Sequence, residues 1–270
     1  MKPMRNRAPG SFRLAAALLL AAGAIADASA QDHPMTTGTG IADLLRSGEA
    51  VFGIFPGAQT AEGGAAMAAN SGMDFVFYSL ENGPFDIPTM RSYMAAMAEA
   101  LGPGAPRRPM ALRIPPIGDE PDLALARVQE GLSAGVDAIV VPHVVSASNA
   151  AVAVSALGSD AWPGNPNGKL VSMLIVEDQA GIASVESIAA ATGVSVVFAG
   201  PGDLRRAYDG DMEAVENAIQ TVLAACKANE VACGITAGVD DIAERLDQGF
   251  RVFIVTQPEA LAVGKRAAGR

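Results

Sequence analysis

The sequence has no apolar run long enough to cross a bilayer, little cysteine, little histidine and fewer basic than acidic residues. The longest apolar stretch, residues 14–25, is twelve residues long, against the roughly 20 that a spanning helix needs. Two cysteines, Cys226 and Cys233, are too few for a disulfide-built scaffold, and the six residues between them match no zinc pattern. They leave either one disulfide or two buried thiols. The two histidines, His33 and His143, exclude a histidine-rich metal site. With 19 basic against 29 acidic residues and a net charge of −10, the surface repels nucleic acid and anionic lipid, and neither is expected as a partner.

What is present begins at the N-terminus. Lys2, Arg5, Arg7 and Arg13 precede the apolar stretch, and Ala28-Ser29-Ala30 follows it. A basic segment, a short apolar core and an A-x-A site make a secretory signal peptide over residues 1–30. Cleavage after Ala30 removes those four bases and Asp27, so the remaining chain is more acidic still. The expected location is periplasmic or secreted, where a cysteine pair can oxidise. Residues 31–270 contain no linker that divides them, and they suit one (β/α)8 barrel, which typically takes about 250 residues.

Short apolar runs alternate with longer amphipathic stretches throughout that region. Strands are predicted at 51–55, 75–79, 110–113, 138–141, 171–176, 195–199, 231–235 and 252–255. Helical patterns lie near 61–71, 86–101, 119–134, 146–157, 180–191, 211–229, 238–248 and 258–268, with a short extra helix at 41–47. The runs are apolar almost without interruption, as parallel strands buried on both faces must be. Eight strands each followed by a helix is the count for a closed α/β TIM barrel. Gly72, Gly135 and Gly249 are expected to end helices before the second, fourth and eighth strands. Residues 158–169, GSDAWPGNPNGK, read as a long loop.

The βα loops of such a barrel gather at the carboxyl ends of its strands, so charged residues there are the candidates for chemistry. Glu81 follows the second run, Arg113 ends the third, His143 follows the fourth and Glu177 ends the fifth. Asp203 follows the sixth, within Gly200-Pro201-Gly202-Asp203-Leu204. Glu177 reads either as a metal ligand or as a solvated or helix-capping carboxylate, a role open to Asp178 too. Asp203 reads either as a ligand or as an N-cap of the turn 204–207. Together the two carboxylates offer the hard oxygens that Mg²⁺ or Mn²⁺ prefers. Arg113 is either a structural partner of Glu81 or a planar guanidinium for a substrate carboxylate. The glycines flanking Pro201, Gly200 and Gly202, allow backbone to approach a ligand closely.

In order and spacing, these segments resemble the HpcH/HpaI aldolase and citrate-lyase-β family of the phosphoenolpyruvate/pyruvate barrels. The likeness runs over roughly residues 40–256. It is carried by Gly72-Met73-Asp74-Phe75-Val76, Ser79-Leu80-Glu81-Asn82-Gly83-Pro84, Leu112-Arg113-Ile114-Pro115, Val140-Val141-Pro142, the Glu177 segment and Gly200-Pro201-Gly202-Asp203-Leu204. The resemblance implies a metal-dependent carbon–carbon lyase, of aldolase type, acting on a small 2-oxo or hydroxy carboxylic acid through a pyruvate enolate. It implies Glu177 and Asp203 as ligands of Mg²⁺ or Mn²⁺, and Arg113 on the carboxylate and enolate oxygens. Glu81 would support the site from behind, Asn82 and Gly202 would flank the substrate, and a homo-oligomer, dimer to hexamer, is implied as well.

The chain also departs from that pattern. The family's Asp-x-Glu-His reads Ser79-Leu80-Glu81-Asn82 here, and the aspartate that would hold the histidine aligns with Ser133. Asn82 does not titrate and is no general base. The family's arginine-containing segment after the fourth strand gives way to residues 158–169. His143, where relatives carry an apolar residue, is either a hydrogen-bonded rim histidine or a replacement acid/base. Two functions follow: a lyase retaining the metal–enolate half of the chemistry, or an exported barrel that binds metal and small carboxylates without turnover.

Overall fold

The computed structural model describes residues 39–118 and 120–270. The expected signal peptide, its cleavage site and His33 lie outside the described residues. Nine strands follow in chain order: β1 (Val51–Ile54), β2 (Phe75–Ser79), β3 (Met110–Arg113), β4 (Ala138–Val141), β5 (Ala161–Trp162), β6 (Leu170–Val176), β7 (Val196–Ala199), β8 (Ala232–Ala237) and β9 (Val252–Val255). Every pairing is parallel, and β1–β9 and β4–β6 close a ring of eight from which β5 is excluded. This is the (β/α)8 barrel that the alternating pattern predicts. The described helices are α1 (Ile41–Arg46), α2 (Ala61–Met67), α3 (Ile87–Leu101), α4 (Pro121–Ser133), α5 (Ala147–Ala156), α6 (Gln179–Ala189), α7 (Pro201–Ala207), α8 (Met212–Ala228), α9 (Ile242–Gln248) and α10 (Pro258–Ala267), and none of them is long and apolar enough to cross a membrane.

Side chains alternate along a strand, so each barrel strand sends one set of residues inward and the other against the helices. The inward set includes Phe75, Phe77, Ala111, Met173, Ile175, Phe198 and Ile254. It forms one cluster with Ile41, Ala42, Leu44 and Leu45 of α1 (Ile41–Arg46). The short helix expected at 41–47 therefore plugs the barrel floor. A Cβ on Gly53 or Gly234 would run into the rings of Phe75 and Phe198 respectively. These inward glycines are the complement of the large aromatics facing them, which lets a filled interior form from few aromatic residues.

Two readings of the sequence need correction. The expected loop 158–169 contains a 3₁₀ turn, Gly158–Asp160, and then β5, which pairs with the amino end of β6 (Ala161 with Leu170, Trp162 with Val171). Arg46 of α1 donates to the carbonyls of Pro166 (2.8 Å) and Gly168 (2.7 Å). The segment is thus ordered at the floor, away from the mouth, and does not stand over a substrate. The first long helix, α2 (Ala61–Met67), also stops five residues before Gly72. Gly135 (φ +87°) and Gly249 (φ +116°) do follow the ends of α4 (Pro121–Ser133) and α9 (Ile242–Gln248), in the left-handed conformation that terminates helices cleanly.

Cys226, near the end of α8 (Met212–Ala228), and Cys233, at the start of β8, form a disulfide with a Cα–Cα separation of 5.6 Å. That decides between the two states left open by their spacing. Both cysteines are buried.

Candidate active site

At the carboxyl ends of the strands, the inward series stop being apolar. On β2 it runs Phe75, Phe77, Ser79; on β3, Ala111, Arg113; on β6, Met173, Ile175, Glu177. The same alternation that fills the barrel therefore delivers a hydroxyl, a guanidinium and a carboxylate to its mouth. Arg113 and Glu177 line a cavity of about 250 Å³ together with Asp203, Thr236, Phe77 and Phe198.

Glu177 is only 3% exposed, so it is not a solvated charge. It is no helix cap either, because Asp178 fills that role, accepting from the Gly181 N–H at 2.7 Å at the start of α6 (Gln179–Ala189). Glu177 Oε1 accepts from the backbone N–H of His143 at 3.0 Å. Burial pushes its pKa up to about 7; the His143 N–H and ring pull it down, and the neighbouring Asp203 pushes it up again. Folded Glu177 thus keeps a proton between pH 4.5, its ordinary value, and about 7, where the unfolded chain has released it. Its contribution to the stability of metal-free protein is expected to fall as pH rises through that window. Denaturant titration at pH 5 and pH 8 of wild type and Glu177→Gln reads this contribution as the difference between the two proteins.

Asp203 lies in the first turn of α7 (Pro201–Ala207), whose N-cap is Gly200. The N-cap reading of Asp203 is therefore wrong: the helix starts earlier because Pro201 fits its first position. Asp203 forms an ion pair with Arg206, one turn on and largely exposed. Of the two glycines beside Pro201, Gly200 is the one the packing demands. A Cβ there would sit 2.6 Å from Glu177 Oε2 and 2.7 Å from Glu177 Cβ, whereas a Cβ on Gly202 meets nothing within 4 Å. Gly200→Ala is expected to destabilise the fold by about 1–3 kcal/mol, the usual cost of overpacking. Gly202→Ala should stay within about 0.5 kcal/mol of wild type. Denaturant melts of the pair check the contrast.

Arg113 is held on three sides. Its Nη2 pairs with Glu81 Oε2 at 2.9 Å, its Nε donates to Ser79 Oγ at 2.9 Å, and its guanidinium lies over the Phe77 ring at 5.2 Å. The structural partnership with Glu81 is therefore real, and it also fixes the guanidinium at the cavity wall. Asn82 is exposed and its Nδ2 donates to Glu81 Oε2 at 3.3 Å. His143 lies between the acids: Nε2 is 3.7 Å from Glu81 Oε1, and Nδ1 is 3.6 Å from Glu177 Oε1.

A divalent cation fits these residues. A buried carboxylate whose charge is penalised by burial and by a second carboxylate needs a positive partner. Among the described residues, Arg206 reaches Asp203 but no basic side chain ion-pairs with Glu177 apart from the His143 ring nearby. The oxygens of Glu177 and Asp203 are the hard donors such an ion takes. Of the charged strand-end residues, Arg113, Glu177 and Asp203 line the cavity, while Glu81 stands behind Arg113 and His143 beside Glu177. Thr236 near the end of β8 lines it too, and Ser79 at the end of β2 holds Arg113; both are neutral, so a search for charge passes over them.

The model of the family described as HpcH/HpaI aldolase/citrate lyase matches residues 54–255. The chain belongs to that family. The family comprises metal-dependent carbon–carbon lyases acting on small carboxylic acids. A hydroxypyruvate/pyruvate aldolase of Delftia acidovorans is 28% identical over 237 residues, covering 78% of this chain and 83% of the relative. A family member from Burkholderia cenocepacia superposes with a TM-score of 0.68 at 25% identity, over 86% of this chain and 98% of its own. The citrate lyase β subunit of M. tuberculosis, solved with oxaloacetate and magnesium, shares the fold at 20% identity with a TM-score of 0.59, over 84% of this chain and all of its own.

Proposed function

We propose that this family member is an exported aldolase-type lyase whose divalent ion, Mg²⁺ or Mn²⁺, is held by Glu177 and Asp203. The observation that carries the reading is the convergence of Glu177, Asp203 and Arg113 on one cavity. Its volume of about 250 Å³ suits a small acid. When bound, the ion supplies a Lewis acid for the substrate's keto oxygen. Arg113, fixed by Glu81 and Ser79, binds the carboxylate and offers its remaining N–H groups to the oxygen that gains charge as the carbon–carbon bond breaks. Glu81 positions Arg113, the Asn82 amide and Gly202 backbone edge the site, and Phe77 and Phe198 exclude water from it.

The disulfide supports export, because such bonds persist in oxidising compartments. Mass spectrometry of protein from the periplasm of its host should show a chain starting at Gln31. For the assembly we keep a homo-oligomer, dimer to hexamer, which light scattering reads directly. The substrate is the only other partner expected, with no nucleic acid and no membrane.

Exchange of pyruvate methyl protons into D₂O, followed by NMR, tests the reaction. It requires enolisation but no knowledge of the acceptor. Metal-dependent exchange is the expected result. The second reading, a barrel that binds without turnover, rests on Asn82 standing in place of the family's histidine; binding of pyruvate with no exchange would favour it.

A further inference from the structure

We propose that His143 is itself a ligand of the divalent ion, through Nδ1, and that its imidazole shifts the site's preference from Mg²⁺ toward Mn²⁺, Co²⁺ and Zn²⁺. The inference rests on the reading that Glu177 holds the ion.

The distances carry it. Nitrogen–oxygen hydrogen bonds run about 2.7–3.2 Å. The His143 ring nitrogens lie 3.6 Å from Glu177 and 3.7 Å from Glu81. Those separations are too long for hydrogen bonds, and among the described residues neither ring nitrogen makes one. They are close to the spacing of two donors that share one ion. Bonds of about 2.1 Å place two donor atoms about 3.4 Å apart at the tetrahedral angle of Zn²⁺, and between about 3.0 and 4.2 Å apart in the octahedral shell of Mg²⁺ or Mn²⁺. The donor atoms of Glu81, His143 and Glu177 all fall within 4.8 Å of one another.

The backbone holds the ring there. His143 has φ +51°, the left-handed region that non-glycine residues seldom enter. In that conformation its N–H reaches Glu177 Oε1, so main chain and ring address the same carboxylate. Strain kept by a surrounding structure is characteristic of functional positions. Glu81 completes the arrangement. Its Oε2 is committed to Arg113, and its Oε1 faces His143 Nε2. A ligating histidine normally gives its other ring N–H to a carboxylate, and Glu81 Oε1, 3.7 Å from Nε2, stands on that side without bonding it in the metal-free protein. Nδ1, on the Glu177 side, is the nitrogen left for the ion.

Oxygen-only sites suit Mg²⁺, whereas imidazole raises affinity for transition ions. The test uses the protein after signal-peptide removal, with Mg²⁺, Mn²⁺ and Co²⁺ titrated separately into wild type, His143→Ala and His143→Met. Pulsed electron paramagnetic resonance of the Mn²⁺-loaded proteins reads nitrogen coupling directly. Wild type should show coupling to ¹⁴N, and both variants should lose it. Their Co²⁺ and Mn²⁺ affinities should fall about 10-fold or more, on the scale that loss of a metal-supporting group costs, with Mg²⁺ affinity changed little. Mn²⁺ bound without ¹⁴N coupling in wild type, or equal losses for all three ions, would overturn the ligand role and leave Glu177 and Asp203 in place. Failure of wild type to bind any of the ions would remove the metal reading itself, and this inference with it.

Discussion

Glu177→Gln is expected to weaken divalent-metal binding by more than about 100-fold, beyond the 10- to 100-fold that loss of an outer partner costs. The amide keeps the shape of the carboxylate and still accepts from the His143 N–H at the position now 3.0 Å away, so the fold should survive. In metal-free protein at neutral pH the variant should be at least as stable as wild type. Burial already drives the Glu177 pKa up to about 7, and a neutral amide avoids placing charge there. Calorimetric metal titration and a thermal melt of the same samples check both halves. Unchanged affinity, or loss of the folded state, would return Glu177 to a structural role. Asp203→Asn should weaken binding too, and it additionally releases Arg206 from its ion pair.

Arg113→Lys is expected to cut pyruvate proton exchange by about 10²- to 10³-fold, the range seen when one donor to a developing oxyanion is lost. Lysine keeps a positive charge beside Glu81, which is 11% exposed, and so spares the fold an unpaired buried carboxylate. It cannot reproduce the planar fork that now meets Glu81, Ser79 and the Phe77 face at once. Metal affinity should stay near wild type, because Arg113 is no ligand. Exchange rates and metal titration on the one variant separate the two effects. Equal loss of metal affinity and exchange would mean that Arg113 acts by shaping the metal site.

Much of this architecture is legible in the sequence because it repeats one local rule. Apolar runs bounded by glycine and helix-capping residues give the eight barrel strands to within a residue or two, and period-2 alternation carries Arg113 and Glu177 to the mouth. What escapes notice depends on packing between distant segments. The two-residue β5 is held by its pairing with β6 and by the Ser195 hydroxyl on its Trp162 carbonyl, so no local pattern marks it. The demand for glycine at position 200 comes from the Glu177 side chain across the β6–β7 pair. The backbone conformation of His143, which brings its ring between two acids, has no signature in Val141-Pro142-His143-Val144. The helical start at Pro201 overrides the capping role that Asp203 could take in isolation.

Diffraction from crystals soaked with Mn²⁺ and oxalate, a planar mimic of pyruvate enolate, measured at the manganese absorption edge, tests the site most directly. The expected result is an anomalous peak within about 2.3 Å of carboxylate oxygens from both Glu177 and Asp203, a bond length usual for such ions, with oxalate against Arg113. A manganese peak elsewhere, or none at saturating ion, would contradict it.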